Sequence, residues 1–356
     1  MTRPVRACDD AAQKDPMSRA LSPLSSPLAA PMAPPTAAAA PASVAPAQTA
    51  AGIAELIAVL VAVTEGEPRV LTIADGAALP SGPLEPGHRS LQAGLRAWVE
   101  RQTHHPLGYV EQLYTFADRG RGAPGDGHIS ISYLGLAREM RPVGAEIGVG
   151  WQGWYRFFPW EDWRGDGAAL VATVLAPRLA AWAETAKAET ARRERRLRIR
   201  ITFGLGAAGT LDAAAWNEEL VLQRYELLWE AGLVPESPEC RGPTVPGAPM
   251  RHDHRRILAT AIARLRAKIK YRPVVFELLP EAFTLLLLQR TVEALAGRLL
   301  HKQNFRRLVE SQDLVEETGE AARETGGRPA KLFRFRRAVL AERAVAGTKL
   351  PLARAG

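Results

Sequence analysis

The feature that most constrains this chain is a run of helix, turn, helix and hairpin near its C-terminus. Thr284 is a typical helix N-cap residue, and the apolar segment Leu285–Ala296 behind it predicts a helix. Gly297 opens a four-residue turn, after which His301–Glu310 predicts a short basic helix. Two helices joined by so short a turn are typical of a helix-turn-helix.

A β-hairpin is predicted directly after the second helix. Leu314–Glu317 and Lys331–Phe335 are expected to be short strands, and the loop Thr318–Ala330 between them contains three glycines. This loop has the position and composition of a wing. The C-terminal fold is therefore predicted to be a winged helix-turn-helix.

The second helix has the side chains that a DNA reader needs, namely long polar groups on one face and apolar anchors on the other. Phe305 and Leu308 are the expected anchors. Asn can pair with adenine and Arg with guanine, whereas Lys or a wing Arg can neutralise phosphate; which residues read bases stays open. The predicted DNA-binding residues are Thr284, Lys302, Asn304, Arg306, Arg307, Arg328 and Lys331. The alternative is a basic helix packed on a hairpin without a nucleic-acid role.

Charge is distributed unevenly along the chain. Residues 251–356 hold 22 Lys and Arg against 11 Asp and Glu, a surplus of 11, so a total of +8 leaves −3 for residues 1–250. A basic C-terminal third on a nearly neutral body indicates a polyanionic partner for that third. The alternative is a solvated basic surface.

Composition and predicted elements divide the chain into five segments. Residues 21–50 contain 11 Ala and 7 Pro and no charged residue, which predicts disorder. The predicted segments are a disordered tail (1–50), an α+β domain (51–165), a helical connector and linker (166–250), the winged-helix domain (251–340) and a tail (341–356).

Mixed strand and helix patterns characterise the α+β domain. Ala54–Val63 and Arg69–Ala74 predict a hairpin, Ser90–Gln102 has helical spacing, and Val110–Ala117 and Ile129–Ala137 predict two further strands. Such a mixture is typical of an α+β sandwich.

The connector is predicted to be mainly helical. Ala168–Arg196 predicts one long helix, Leu197–Ile201 alternates like a strand, and Trp216–Trp229 predicts a second helix. Pro235–Pro249 has the composition of a linker, and a further helix is expected from His252 to about Lys270.

The segment that starts at Gly82 resembles the Nudix box, the loop and helix that hold metal ions in hydrolases of nucleoside diphosphate derivatives. The resemblance implies an α/β/α sandwich. Gly82, Arg96 and Glu100 match the family pattern, whereas His88, Ala97 and Arg101 stand at Glu positions and Thr103 at a Gly position. The alternative is an amphipathic helix of another α+β fold.

The changes in this box remove most of its metal ligands. Mg²⁺ needs several convergent oxygens, and an Arg there repels a divalent cation and attracts phosphate. We therefore predict a nucleotide-like ligand that is bound and not hydrolysed, with no catalytic residue, no metal and no cofactor. The predicted ligand-binding residues are Arg96, Glu100, Arg101, Gln112, Tyr114 and Arg121.

Several segments together resemble the Nudix-related transcriptional regulators of NAD metabolism, the NrtR family and its NadQ-like branch. Tyr109–Phe116 and Ile129–Leu136 resemble the segment after the box, and Phe276–Pro280, Asn304–Arg307 and Gly327–Ala330 resemble the winged-helix part. The resemblance implies a repressor of NAD biosynthesis or salvage genes that senses ADP-ribose, a related NAD metabolite or nicotinate. It also implies a homodimer on double-stranded operator DNA. The alternatives are a Mg²⁺-dependent Nudix hydrolase with an accessory DNA-binding domain, and a nucleic-acid-binding module without a regulatory role.

Other residues suggest chemistry less specifically. The aromatic cluster between Trp151 and Trp163 is expected either to stack a ligand ring or to form a packed core. His104, His105, His252 and His254 lack a third ligand at metal-binding spacing, so no metal site is expected. With two distant cysteines and no long apolar stretch, we expect a cytoplasmic protein that does not bind membranes.

Overall fold

The structure of the chain is a computed structural model, and the residues that it describes are 54–117, 129–140, 147–206, 209–272, 274–322, 329–336 and 338. The predicted tails, residues 1–50 and 341–356, lie outside the described residues. Arg121, Arg328 and the tip of the predicted wing also lie outside them.

A mixed six-stranded sheet forms the N-terminal half of the described chain. Its strands are β1 (Ala54–Thr64), β2 (Glu67–Thr72), β3 (Ser81–Pro83), β4 (Tyr109–Phe116), β5 (Ile129–Leu136) and β6 (Gly150–Gly153). Their order is β4-β5-β1-β2-β6, with β3 beside β1. Only β1 and β5 pair in parallel; the other pairs of this sheet are antiparallel.

The predicted hairpin at the start of the sheet is confirmed. Glu65 and Gly66 form its two-residue turn, and both have positive φ, as the right-handed twist of a tight hairpin requires. The strand β2 begins at Glu67, two residues before the predicted start at Arg69. Pro68 is tolerated there because β6 begins to pair only at Arg69, so the missing N–H of Pro68 breaks no bond to β6.

One helix covers one face of the sheet. The helix α1 (Leu91–Thr103) begins at Ser90, whose hydroxyl accepts a hydrogen bond from the backbone N–H of Ala93. Leu95 and Val99 of α1 pack on Leu56, Leu60 and other side chains of β1. The opposite face of the sheet belongs to a larger apolar core that continues through the connector into the C-terminal helices.

The predicted long connector helix is wrong. The chain forms α2 (Gly167–Leu170), a π-helical turn (Val171–Leu175), α3 (Ala176–Glu184) and, after a break, α4 (Glu189–Phe203). Pro177 explains the π-helical turn, because it has no N–H to donate to the carbonyl of residue 173.

Of the other connector predictions, the strand is wrong and the second helix is confirmed with a later start. Leu197–Ile201 is part of α4 and not a strand, because its Ile199 is buried as one position of a helical face. The helix α5 (Val221–Glu230) begins five residues after Trp216, since the side chain of Asn217 accepts a bond from the N–H of Glu219 and forms a turn instead. Residues 235–249 contain no helix or strand, yet Val245 and Ala248 are bonded to the backbone of Leu233 and Arg156.

The predicted winged helix-turn-helix is confirmed. Its elements are α6 (His254–Tyr271), α7 (Leu285–Ala296), α8 (Lys302–Ser311), β7 (Val315–Ala322) and β8 (Ala330–Phe335). The hydroxyl of Thr284 accepts a hydrogen bond from the N–H of Leu287 at 3.1 Å, as expected of the N-cap. Gly297 ends α7 with a φ of 70°, and a Cβ there would lie 2.3 Å from the carbonyl oxygen of Glu161.

The strand β7 is longer than predicted. It continues to Ala322, and its register with β8 shifts between Glu317 and Ala321. None of the helices in the described part of the chain combines the length and the hydropathy needed to span a membrane.

Candidate DNA-binding surface and ligand site

The helix α8 presents a polar surface to solvent. Lys302, Asn304, Arg306 and Arg307 are all exposed, as the sequence predicts. Gln303 is also exposed on this helix and was missed, although a Gln can pair with adenine in the same way as an Asn. The structure therefore brings the four predicted polar residues of α8 onto one accessible element.

The apolar anchors of α8 differ from the prediction in one position. Phe305 is half-buried as expected, but Leu308 is 55% exposed and Val309 is buried instead. The reason is helical geometry, because the buried side follows a spacing of four residues from Phe305 to Val309. Leu308 lies beside this stripe, at the edge of the exposed surface.

The hairpin carries its cations in exposed ion pairs. Lys331 pairs with Glu317 at 2.8 Å, Arg334 pairs with Glu316 at 2.6 Å, and both cationic side chains are more than half exposed. Exposed pairs of this kind contribute little stability, so these cations can exchange their carboxylate partners for phosphate. Thr284 is at the start of α7, where its hydroxyl serves as the cap.

A buried ionic cluster joins the helix-turn-helix to the rest of the fold. The carboxylate of Glu161 accepts hydrogen bonds from Arg266 of α6 at 2.6 Å and from Arg224 of α5 at 2.9 Å, and all three side chains are fully buried. Arg266 also donates to the carbonyl oxygen of Leu295. The hydroxyl of Tyr155 donates to the carbonyl oxygen of Ala294. The C-terminal end of α7 is thus fixed to the segment that follows β6.

The degenerate Nudix-like box is an ordered loop and helix. A Cβ at Gly82 would lie 2.2 Å from the indole of Trp98, so this position must be glycine. The indole N–H of Trp98 donates to the carbonyl oxygen of Pro83, and the guanidinium of Arg101 stacks 4.4 Å from its ring. The Nε2 atom of His88 lies 3.5 Å from a carboxylate oxygen of Glu85.

Arg96 and Glu100 lie on the exposed side of α1. Arg96 donates to the carbonyl oxygens of Leu107 and Gly108, directly before β4. Glu100 is the one acidic residue of α1, and among the described residues no three His, Cys, Asp or Glu side chains come together as metal ligands. This part of the chain therefore shows no metal-binding cluster around the box helix.

The predicted ligand residues on β4 do not share one face. Gln112 pairs with Tyr133 of β5, whose side chain belongs to the face that α1 covers. A register shift follows Gln112, after which Tyr114 pairs with Ser132 and its ring contacts that of Phe116 in the opposite core. Gln112 is therefore on the sheet face that α1 covers, and Tyr114 is on the other face.

Strand β4 is linked to α6 through a polar cluster. Lys268 donates to Glu111 and, at 3.2 Å, to the hydroxyl of Tyr109, which in turn donates to Glu111 at 2.6 Å. Burial alone would raise the pKa of Glu111, but the hydrogen bonds from Lys268 and Tyr109 outweigh it and hold that pKa below its ordinary value. Burial also raises the pKa of Tyr109, as does its hydrogen bond to the carboxylate.

Most of the remaining candidate residues are buried or hydrogen-bonded within the fold. Trp154, Phe157, Phe158 and Trp160 are fully buried, which places most of the aromatic cluster in the packed core. His105 is bonded through its ring to the carbonyl oxygens of Pro106 and Arg138, and His254 accepts from the N–H of Leu79.

The C-terminal region matches a described protein family. The family model for the NrtR DNA-binding winged helix domain matches residues 275–335, which contain α7, α8, β7 and β8. Residues 275–335 are therefore similar to the winged helix of NrtR proteins. The capped α7, the exposed α8 and the hairpin all lie within the matched residues.

A curated relative supports the same NrtR-type assignment. The "ADPR responsive transcriptional repressor NtrR" of Acinetobacter baylyi is 41% identical to this chain over 83 residues. The match spans 23% of this chain and 33% of that repressor's length.

Solved structures resemble the chain more distantly. Shewanella oneidensis NrtR in complex with a 27mer DNA is 20% identical, with a TM-score of 0.47 over 79% of this chain and 93% of that one. The Nudix domain of the same NrtR in complex with ADP ribose is 21% identical, with a TM-score of 0.27 over 29% of this chain and 73% of that one. The family model matches the winged-helix part of the chain, residues 275–335.

Proposed function

We propose that this chain is a ligand-responsive, DNA-binding transcriptional repressor of NAD biosynthesis or salvage genes. The observation that carries the proposal is the NrtR-type winged helix with the exposed polar face of α8. The surplus of positive charge in residues 251–356 favours the phosphate backbone as partner. The proposed form is a cytoplasmic homodimer, since two-fold symmetry matches a palindromic operator.

The proposed effector is ADP-ribose, a related NAD metabolite or nicotinate. Arg96, Arg101 and Gln112 are on one side of the sheet, where two guanidinium groups can bind phosphate oxygens. The Acinetobacter relative bears the name of an ADPR-responsive repressor, which favours ADP-ribose. Tyr114 is a weaker candidate for contact with the same ligand, because it is on the opposite face.

The proposed domain binds its ligand without hydrolysing it. Phosphoryl chemistry with Mg²⁺ needs several carboxylates, and the box helix keeps Glu100 beside Arg101. The second candidate function is a Mg²⁺-dependent hydrolase, which the retained glycine and helix of the box favour. Restoring the acids as His88→Glu, Ala97→Glu and Arg101→Glu should leave operator affinity unchanged. Cleavage of ADP-ribose by the unmodified chain with Mg²⁺ would support the hydrolase instead.

The proposed signal runs from α1 to the winged helix through β4 and α6. Arg96 holds the backbone at Leu107 and Gly108, which directly precedes Tyr109. A phosphate that competes for the guanidinium of Arg96 would release these carbonyl oxygens. Because Tyr109 and Glu111 bind Lys268, the change would reach α6 and bias the orientation of the DNA-binding elements.

The test is fluorescence-anisotropy binding to promoter DNA of the NAD genes in the source genome, with random DNA as control. ADP-ribose, NAD, ATP and nicotinate are titrated in turn. Specific binding that one ligand releases or tightens supports the proposal and identifies the effector. Equal binding to both DNAs, unaffected by all four ligands, contradicts it.

A variant pair tests the role of α8. Arg306→Ala with Arg307→Ala should abolish specific binding and lower the salt-dependence slope by about 0.9 for each phosphate that the variant no longer neutralises. Arg89→Ala with Arg241→Ala removes two exposed arginines outside the winged helix and should leave affinity unchanged. Equal affinity of both variants would exclude α8 from the DNA interface.

A further inference from the structure

A cavity of about 410 Å³ lies between α6, α7 and α8, on the inner side of α8. Its volume falls within the range of about 300–1,000 Å³ that is typical of small-molecule sites. It is separate from the box, since none of its lining residues belongs to the sheet or to α1. The cavity therefore differs from the proposed effector site.

The walls of the cavity are mainly apolar. Ile269 of α6, Val292 of α7, and Phe305 and Val309 of α8 contribute to them. Small-molecule sites are typically lined mainly by apolar side chains with a few polar groups, and such walls hold the apolar part of a ligand. The wall chemistry therefore selects an apolar ring or a short hydrocarbon chain.

The mouth of the cavity is open and partly apolar. Leu299 is 69% exposed and Leu308 is 55% exposed, and both side chains line the cavity. Two exposed leucines at one opening leave apolar surface in water that a ligand could cover.

Positive charge surrounds the same mouth. Lys270, Arg272 and Arg298 line the cavity, against the one carboxylate of Glu218 among its described lining residues. Glu218 is held by Lys270 at 2.8 Å and approached by Arg298 at 3.8 Å. Burial lowers the pKa of Lys270, but its bonds to Glu218 and Glu219 outweigh burial and raise that pKa, so the ammonium stays charged at neutral pH.

We propose that this cavity is a second ligand site, which takes a small amphipathic anion. The apolar body of the ligand would lie against Val292 and Phe305, and its carboxylate or sulfonate would face Arg298 at the mouth. Because α8 forms one wall, such a ligand would act directly on the DNA-binding helix. The site does not depend on the proposed effector of the sheet domain.

The first experiment uses the full-length chain and two fluorescent probes with the same rings. 8-Anilinonaphthalene-1-sulfonate is anionic, and N-phenyl-1-naphthylamine is its uncharged counterpart. Val292→Phe fills the cavity and should weaken the binding of both probes by about tenfold. Leu286→Phe adds the same ring at an exposed position of α7 that does not line the cavity, and it should leave the binding of both probes unchanged.

The second experiment changes only exposed side chains, so it stands even where Val292→Phe prevents folding. Leu308→Glu places a negative charge at the mouth and should weaken the anionic probe by about tenfold while affecting the neutral probe less than about twofold. The control Leu197→Glu changes a leucine of α4 that is 45% exposed, and neither probe should respond.

Binding of both probes that is unchanged in Val292→Phe, with a normal melting curve, would overturn the site. Equal responses of the two probes to Leu308→Glu would overturn its preference for anions. ADP-ribose binding, measured by calorimetry on the same variants, separates this site from the proposed function: loss of probe binding with ADP-ribose binding retained supports two independent sites.

Discussion

Glu161→Gln tests the link between the winged helix and the rest of the fold. The carboxylate of Glu161 faces two guanidinium groups, those of Arg224 and Arg266, and none of the three side chains is exposed. Gln keeps one oxygen that can accept a hydrogen bond, but it removes the negative charge. Two buried cations would then remain without their counter-ion.

The size of the effect follows from this burial. Breaking a fully buried ion pair by removing one partner costs about 3–5 kcal/mol, because the remaining charge stays desolvated. With a urea dependence of about 3 kcal/mol per molar, the free energy of unfolding should reach zero at a urea concentration about 1–1.7 M lower. The substitution changes no apolar contact, so the loss of stability is electrostatic in origin.

The assay is urea unfolding followed by tryptophan fluorescence at pH 7. The control is Glu184→Gln, which breaks a 2.8 Å pair with Arg196 in which both side chains are about half exposed. Its midpoint should not move measurably, because exposed pairs contribute little. A shift for Glu161→Gln of less than about 0.3 M would refute the argument that the buried carboxylate neutralises both arginines.

Three further predictions concern single contacts. Thr284→Ala removes the cap of α7 and should lower the free energy of unfolding by about 1 kcal/mol, whereas Thr284→Ser should retain stability in the same urea assay. The pKa of Glu111 is lower in the folded state than its ordinary value of 4.5. Its pair with Lys268 should therefore stabilise the fold fully above pH 4.5, and this stabilisation should be lost as the pH falls through the folded pKa. The difference in free energy of unfolding between wild type and Lys268→Met should therefore shrink below pH 4.5. Because the pair is partly exposed, we expect this difference to be at most about 1 kcal/mol. A difference that stays constant down to about pH 3 would contradict the depressed pKa of Glu111. Lys268→Met should also reduce the effect of the ligand on operator affinity while leaving each separate affinity within about threefold, as measured by anisotropy with and without ADP-ribose.

The elements that the sequence predicts best are those set by neighbouring residues. Thr284 and Gly297 determine the two ends of α7 through local backbone bonds, so the helix-turn-helix can be placed from the sequence. The π-helical turn in the connector also has a local cause, Pro177, but a helical pattern does not distinguish such a turn from a regular helix.

The parts that the sequence could not predict depend on distant residues. Glu161 and Arg266 are 105 positions apart, and a lone Glu in an aromatic segment gives no sign of its partner. The register shift after Gln112 turns Tyr114 to the opposite face, although both residues belong to one continuous strand pattern. Alternation along a strand assumes constant register, so from the sequence alone the two side chains, two positions apart, are expected on one face.

Two kinds of link join α6 to the rest of the molecule, and they are suited to different roles. Arg266 is held by a buried carboxylate and by the end of α7, a contact that is costly to break and therefore keeps one geometry. Lys268, two residues further along α6, meets Tyr109 and Glu111 at a partly exposed contact whose rearrangement costs little. A ligand that binds one arrangement only modestly better than another can therefore rearrange the contact of Lys268 but not that of Arg266. If Lys268→Met leaves the ligand response intact, the signal must travel through another contact of α6, and the stacking of Arg256 of α6 on Phe116 of β4 at 4.8 Å is the next to test.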